Sequence, residues 1–451
     1  MRPLLAILGL AIALLSGAAA ATALRYDFDY PEMNYAGTPV HNPIAELQAR
    51  IDRGEVKLRF NAQRGYLDSL LAALAIDKSS QTLVYSKTSL QIDAIRAATP
   101  RAIYFNDDTY VAWVQGTTSL ELVAMDSALG PVFYTLDNHE GAAAQLQRET
   151  SRCLNCHDTF SMMGGGVPRF LFMSTLVNRG GEALTNQPGT DTSDETPLEE
   201  RWGGWYVSGN SGNLRHLGNI LVDSAKELDS AQSASRPENL NVLDSVLDTR
   251  PYITNKSDVV ALLVFEHQAY VHNLITRANF KSRTVLAREG ITQSVDALHW
   301  KDLSPKAKVA MKAMLEPLVR AMLFSGAAGM TNRISGSSGF ESWFQAQGPR
   351  DRAGRSLREL DLSTRLFKYP LSFLVYSQGF KGLPSFAKDY LYGRFAEILS
   401  GRDASPAYSH LTASDRKNLA EILTATSPEF ALAARQPQTL TVSVPRAASA
   451  S

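Results

Sequence analysis

The sequence predicts an α+β fold: a small antiparallel sheet with helices in the N-terminal part, followed by a mainly α-helical remainder. Two periodicities carry this expectation. Between Thr82 and Asp137, short β-branched and aromatic runs alternate with turn residues. Beyond Ser257, apolar residues recur at helical spacing instead. With 451 residues, 44% of them hydrophobic, the chain has material for two or three domains or one large one. Lys plus Arg equals Asp plus Glu at 45 each, so no global field draws it to nucleic acid or an anionic membrane surface.

The first residues have the pattern of an export signal. Arg2 supplies a short positive start, Leu4 to Leu15 an apolar run, and Gly17 to Ala21 the small residues that signal peptidase needs. Residues 1–22 are therefore read as a signal peptide, cut between Ala20 and Ala23, and the mature chain as exported to the periplasm. An uncleaved anchor is the alternative, but the apolar core falls short of the roughly 20 residues of a span. No later segment is long enough to cross a membrane; the best is Val259 to Phe265.

An N-terminal α+β domain is expected over 24–148. Residues 24–42 are irregular, rich in aromatics and proline. A helix starts at Pro43, with proline in its first turn, and stops near Gly54. Leu67 to Ala75 reads as a second. Ala102 to Phe105 and Tyr110 to Val114 are strands around the turn Asn106-Asp107-Asp108, and Leu120 to Ala124 and Val132 to Leu136 add two more. The sheet displays no clustered titratable groups, which suits a scaffold better than a docking or sensing surface.

The chemistry concentrates in Cys153-Leu154-Asn155-Cys156-His157, which holds the only two cysteines. An exported chain with one pair of cysteines has no disulfide framework. A thioredoxin-like site would continue into a helix, yet Phe160-Ser161-Met162-Met163-Gly164-Gly165-Gly166 follows. A structural zinc would want about four ligands, and no second Cys or Cys/His pair exists. CxxCH is instead the spacing for attaching haem c, each sulfur adding to one vinyl group and the imidazole reaching the iron. The reading is one haem c, bound through Cys153 and Cys156, with His157 as proximal iron ligand.

Residues 149–235 form the expected haem attachment segment. Gly164 to Gly166 permit a close wrap of backbone, and Arg169 is either a propionate partner or an ordinary surface arginine. Gly180 to Glu200 reads as a surface loop. In Arg201 to Gly212, glycines interleave with Trp202, Trp205 and Tyr206, which suits either wrapping around a planar ligand or a twisted hairpin packed on the core. His216 is a secondary distal candidate.

A mainly helical domain is expected over 236–435, after a polar boundary at 224–241. Ser257 or Asp258 caps a helix reaching about Phe280, on which Val260, Leu263, Val264, His267, Val271, Leu274 and Ala278 form one stripe. His267 is thus either a satisfied core histidine or a distal iron ligand. His272 lies about 140° round the helix, so the two are not a zinc-binding pair. Glu266 is an acid/base candidate if the haem cavity is open. Ser304 to Phe324 reads as a helix kinked at Pro317. Its Met311, Met314 and Met322, with Met162, Met163, Met173 and Met330, are thioether candidates or core filler. Arg355, Arg358, Arg365 and Lys368 read as a solvated face with structural ion pairs, or as a holder of propionates. Helices at Pro384 to Ser400 and Ser414 to Thr424 close the fold, and 436–451 reads as a disordered tail.

CLNCH after an export signal resembles the c-type cytochromes. The wider set GGWYVSGNSGNLRHLGN, FEHQAYVHNLITRANF and GRSLRELDLSTRLFKYP resembles large exported bacterial proteins described as cytochrome c domain-containing. That resemblance implies covalent haem through Cys153 and Cys156 with His157 proximal, and leaves the reaction open. The motif lies far from the chain start, unlike small class I cytochromes, so their downstream Met ligand does not carry over. Two functions follow. One is an exported monohaem electron carrier working with a redox partner protein. The other is a haem oxidoreductase with an open distal site acting on peroxide or a small substrate; the sequence alone leaves enzyme activity and oligomeric state open.

Overall fold

Asn42 opens the first helix by turning its side chain onto the backbone: Oδ1 accepts from the N–H groups of Ile44 at 3.2 Å and Ala45 at 3.1 Å. The computed structural model describes residues 33–141, 144–158, 167–184, 189–224, 234–292, 295–435 and 440. The expected signal peptide, Met162 and Met163, Gly164 to Gly166, part of the 180–200 loop and nearly all of the expected tail lie outside the described residues. Helix α1 is Pro43–Asp52 and α2 is Leu67–Ala73. They lead into a seven-stranded antiparallel sheet.

Its first six strands are β1 (Thr82–Val84), β2 (Arg101–Phe105), β3 (Thr109–Trp113), β4 (Ser119–Asp126), β5 (Gly130–Asp137) and β6 (Leu146–Glu149), each paired with the next. The expected four are all present, and the β2–β3 turn forms as its residues dictate. Asn106 Oδ1 accepts from the N–H groups of Asp108 at 3.3 Å and Thr109 at 3.0 Å. After a two-stranded ribbon of β7 (Met173–Ser174) and β8 (Thr190–Asp191), β9 (Trp205–Tyr206) pairs with β1 as the seventh strand. The strands that periodicity missed, β1, β6 and β9, are two to four residues long, too short to display alternation.

Alternation gives the sheet two buried faces. Ala102, Tyr104, Val111, Leu120, Leu122, Val132 and Leu136 join the core formed with α1 and α2. Ile103, Phe105 and Tyr110 point the other way into a larger core with the C-terminal helices. The sheet and its cores extend beyond residues 148 and 235, because β9 supplies an edge strand from residues 205–206 and the long helix packs on the sheet.

That helix is α4 (Val259–Arg288), which follows the single turn α3 (Leu154–His157). It runs two turns beyond Phe280, with Ser282, Thr284 and Leu286 still buried. Asp258, not Ser257, is the cap; Ser257 instead bridges the Leu83 N–H at 2.9 Å and the Tyr206 carbonyl at 2.6 Å. The fold continues through α5 (Pro305–Met322, containing Pro317), α6 (Phe340–Ala346), α7 (Gln378–Lys381), α8 (Ser385–Leu399), α9 (Ala413–Thr426) and α10 (Pro428–Arg435). No helix of the described residues is long and apolar enough to cross a membrane.

The Gly/Trp/Tyr stretch packs chain against chain. A Cβ on Gly204, at φ 82°, would stand 2.9 Å from the Thr175 carbonyl oxygen. Trp205 stacks on Phe172 with centroids 4.6 Å apart, and Trp202 is fully buried. Of the two sequence expectations, it is packing on the core that the described residues display.

Asp258 ties this arrangement together. Oδ1 accepts from Val260 at 2.8 Å and Ala261 at 3.1 Å, and Oδ2 from the N–H groups of Ser337 at 2.6 Å and Ser338 at 2.7 Å. Asp258→Ala strands two buried donors, Val260 and Ala261, and two partly buried ones, Ser337 and Ser338, so we expect a loss of about 2–4 kcal/mol of unfolding free energy, read by urea denaturation. A loss within 0.5 kcal/mol, the range of ordinary surface substitutions, would contradict this role.

Candidate functional site

CLNCH forms one helical turn directly after β6. The Cys153 carbonyl accepts from His157 N–H at 3.0 Å and from Cys156 N–H at 3.2 Å. Cys153 and His157 thus stand four residues apart and fall on one side of the turn. Both thiols are free, Cys153 partly buried and Cys156 exposed. Burial, followed by the charges of Glu149 and Glu121, pushes the Cys153 thiol up to about 12. A protonated thiol is the wrong species for the attacking thiolate of a disulfide oxidoreductase, which disfavours the thioredoxin-like alternative. Among the described residues, no three His, Cys, Asp or Glu side chains converge as ligands for a metal ion.

His157 is held from two sides. Its ring lies against Phe133 of β5, centroids 4.6 Å apart. Its Nδ1 stands 2.8 Å from the Arg169 carbonyl oxygen, while Arg169 N–H donates to the His157 carbonyl at 2.9 Å. A carbonyl can only accept, so Nδ1 carries the proton and Nε2 carries the lone pair. Nε2 makes no hydrogen bond among the described residues. Burial lowers the imidazole to about 4, against the pull of the Arg169 carbonyl and with the help of the Arg101 and Arg169 charges. At neutral pH the ring is therefore neutral, which is its metal-binding form.

The partner segment is itself clamped to α4. The side chain of Asn273 accepts from Phe170 N–H at 2.7 Å and donates to its carbonyl at 3.0 Å. Arg169 is not the surface residue its composition favours: only 6% of it is exposed. Its Nη1 reaches Asp191 Oδ2 at 2.9 Å, while Nε and Nη2 are buried with no hydrogen-bond partner. Arg101 Nε is in the same condition, and its Nη1 stands 3.5 Å from Glu121 Oε2. Buried guanidinium donors without acceptors are costly, and a carboxylate is the group that satisfies them.

A haem c therefore fits these residues: two free thiols, an imidazole with its tautomer fixed and Nε2 available, and orphaned arginine donors suited to propionates. Orientation of a ligating histidine through its other nitrogen is the usual second layer of a metal site. Arg101, Phe133 and Asn273 were not singled out from sequence. Each comes from a different element, so no local spacing signals them.

His267 lies elsewhere and is fully committed. It is wholly buried on α4, donating from Nδ1 to Asp194 Oδ2 at 2.8 Å and accepting at Nε2 from the Ser372 hydroxyl at 2.8 Å, with Phe324 stacked on it at 4.6 Å. In this arrangement neither nitrogen is free for iron. His216 is buried, accepts at Nδ1 from Gly218 N–H at 3.1 Å, and points Nε2 at the Glu238 carbonyl, 3.4 Å away. Glu266 is buried against Arg201 at 2.9 Å, and burial raises its carboxyl. Met311 and Met322 are core, and Met330 lines a separate cavity. Arg355, Arg358, Arg365 and Lys368 pair with Glu421, Asp107, Asp415 and Glu359 respectively, in keeping with structural ion pairs.

His272 of α4 lies beside the same segment, its ring centroid 5.9 Å from that of Phe170. Its Nε2 donates to the Asp107 carbonyl at 2.9 Å, while Nδ1 is buried and unpartnered. Comparison of the chain with protein-family models, curated proteins and solved structures found no match, so the chemistry of the site rests on this geometry.

Burial lowers His272 to about 4, below the roughly 6.5 of an unfolded histidine. The unfolded chain then binds the extra proton first, and His272 costs stability as the pH falls through that window. In the haem-free protein, the stability advantage of wild type over His272→Gln should shrink between pH 6.5 and 4 and hold steady above pH 7. Parallel urea titrations of the two proteins would check it; a constant difference would contradict it.

Proposed function

We propose that this chain is an exported monohaem c-type cytochrome that takes part in electron transfer. The observation that carries the reading is His157: its Nδ1 proton is spent on the Arg169 carbonyl and its Nε2 is left for a metal, one helical turn from two free thiols in CxxCH order. Cys153 and Cys156 would hold the haem covalently and His157 would ligate the iron. Arg169 and Arg101 would take its propionates. When bound, the haem supplies one-electron redox chemistry. The protein's own contribution is to fix the imidazole tautomer, keep the ring neutral and bury the arginine charges beside it. A single haem passes one electron at a time, so a redox partner protein belongs to this reading.

One observation favours a second reading, a haem oxidoreductase with an open or displaceable distal position. His267, the distal candidate on α4, has both nitrogens engaged by Asp194 and Ser372. A peroxide or another small molecule would then compete for the sixth position.

Expression with a c-type maturation system should add the mass of one haem to wild type and none to Cys153→Ala/Cys156→Ala. A wild-type protein matured without haem would overturn the proposal. On the loaded protein, cyanide or carbon monoxide divides the readings, since unchanged optical bands fit the closed carrier and ready ligation fits the oxidoreductase. Arg169→Gln should keep the covalent haem and shift the propionate bending band in the resonance Raman spectrum. An unmoved band would remove Arg169 from the propionate site while leaving the haem assignment intact.

A further inference from the structure

A cavity of about 640 Å³ opens on the far side of His267, within the size range of small-molecule sites. Leu263 of α4, Phe324, Met330, Leu366 and Phe367 give it an apolar wall. None of the residues that surround His157 lines it. Phe324 takes a left-handed backbone, φ 57°, one residue past the C-cap of α5, where glycine is usual; the turn closes through Ser325 N–H to the Arg320 carbonyl at 2.9 Å. Its ring stacks on His267 and lines the cavity, so the strained residue is placed where both contacts need an aromatic side chain.

Three of the four charged groups on the wall are arginines. Arg201 is used up by Glu266 and by the carbonyls of Asp194 and Thr196. Two others have donors to spare. Arg365 bonds Asp415 Oδ1 at 2.7 Å through Nη2, but its Nε is buried with no hydrogen bond, the nearest carboxylate oxygen of Asp361 being 3.9 Å away. Arg320 is exposed and has no ion pair among the described residues. His410 donates from Nε2 to the Leu323 carbonyl at 2.7 Å and is spent as a donor there. Asp194 also lines the wall, and its charge disfavours a second anionic group on any occupant.

We propose that this cavity binds a small organic monocarboxylate, its apolar body against Leu263, Phe324 and Phe367 and its carboxylate between Arg320 and Arg365. A guanidinium with unfilled donors at the edge of an apolar pocket offers charge-assisted hydrogen bonds where water competes poorly. An apolar ligand alone leaves those donors unmet, and a dianion meets Asp194. The inference is independent of the haem reading.

Isothermal titration of the full chain with benzoate, hexanoate and octanoate, each beside its amide, tests it. At least one acid should bind with one site per chain, and its amide about tenfold more weakly, the loss expected for one charge-assisted hydrogen bond. Arg320→Gln should weaken the acid by a similar factor. Gly329 lines the cavity, and a Cβ added there meets nothing within 4 Å. Gly329→Trp should therefore abolish binding while leaving the heat-unfolding midpoint unchanged. Equal affinity for acid and amide, undiminished binding in either variant, or no binding of any of the three acids would overturn the proposal.

Discussion

One carboxamide holds the candidate haem site in place. Asn273 clamps both backbone groups of Phe170, and the residue before it exchanges hydrogen bonds with His157, so the CLNCH turn is tied to the long helix through a single extended segment. That segment lies over the larger core, and an extended chain under cover must find partners for its N–H and C=O groups. Asn273 and His157 are those partners. The orientation of the imidazole is thus a by-product of satisfying a buried backbone, which makes it insensitive to the motif's own exposed neighbours, Asn155 and Cys156.

The same helix distributes its polar residues to different tasks. Within two turns, Glu266 neutralises Arg201, His267 joins Asp194 to Ser372, Gln268 ties the β2–β3 turn through the Asn106 and Asp107 carbonyls, and His272 reaches that same turn. Four separate tasks on one buried helix explain why an apolar stripe alone describes it poorly. Each polar side chain costs desolvation, and each recovers it through a partner on a different element. Exceptions remain: Glu266 Oε1, His272 Nδ1 and Ser282 Oγ on the helix, and side-chain nitrogens of Arg169 and Arg101 beyond it, are buried without hydrogen-bond partners. The two arginines belong to the surroundings of His157, and an anionic group bound there would complete them.

Charge is arranged with the same economy. Burial, then the charges of Glu149 and Glu121, raises the Cys153 thiol on one side of the turn; burial, helped by Arg101 and Arg169, depresses His157 on the other. Neutral imidazole is the state in which a histidine ligates a metal. On the far side of α4, the cavity past His267 repeats the theme of underused guanidinium groups, but on an apolar wall and around a different histidine.

The sequence by itself determined the α+β class, the four central strands, the start of α1, the limits of two C-terminal helices to within two residues and the CxxCH spacing. These are local matters: turn residues, caps and short periodicities act within a few positions, and a pair of cysteines followed by histidine needs no tertiary context to be recognised. Tertiary structure alone decided the rest. That β9 completes the sheet, that Arg169 is buried, that His267 is saturated and that Phe133 and Asn273 frame His157 all depend on residues tens to hundreds of positions apart. Helical phase showed that His267 points inward; it could not show what waits there, because a buried polar atom takes its partner from whichever element packs against it.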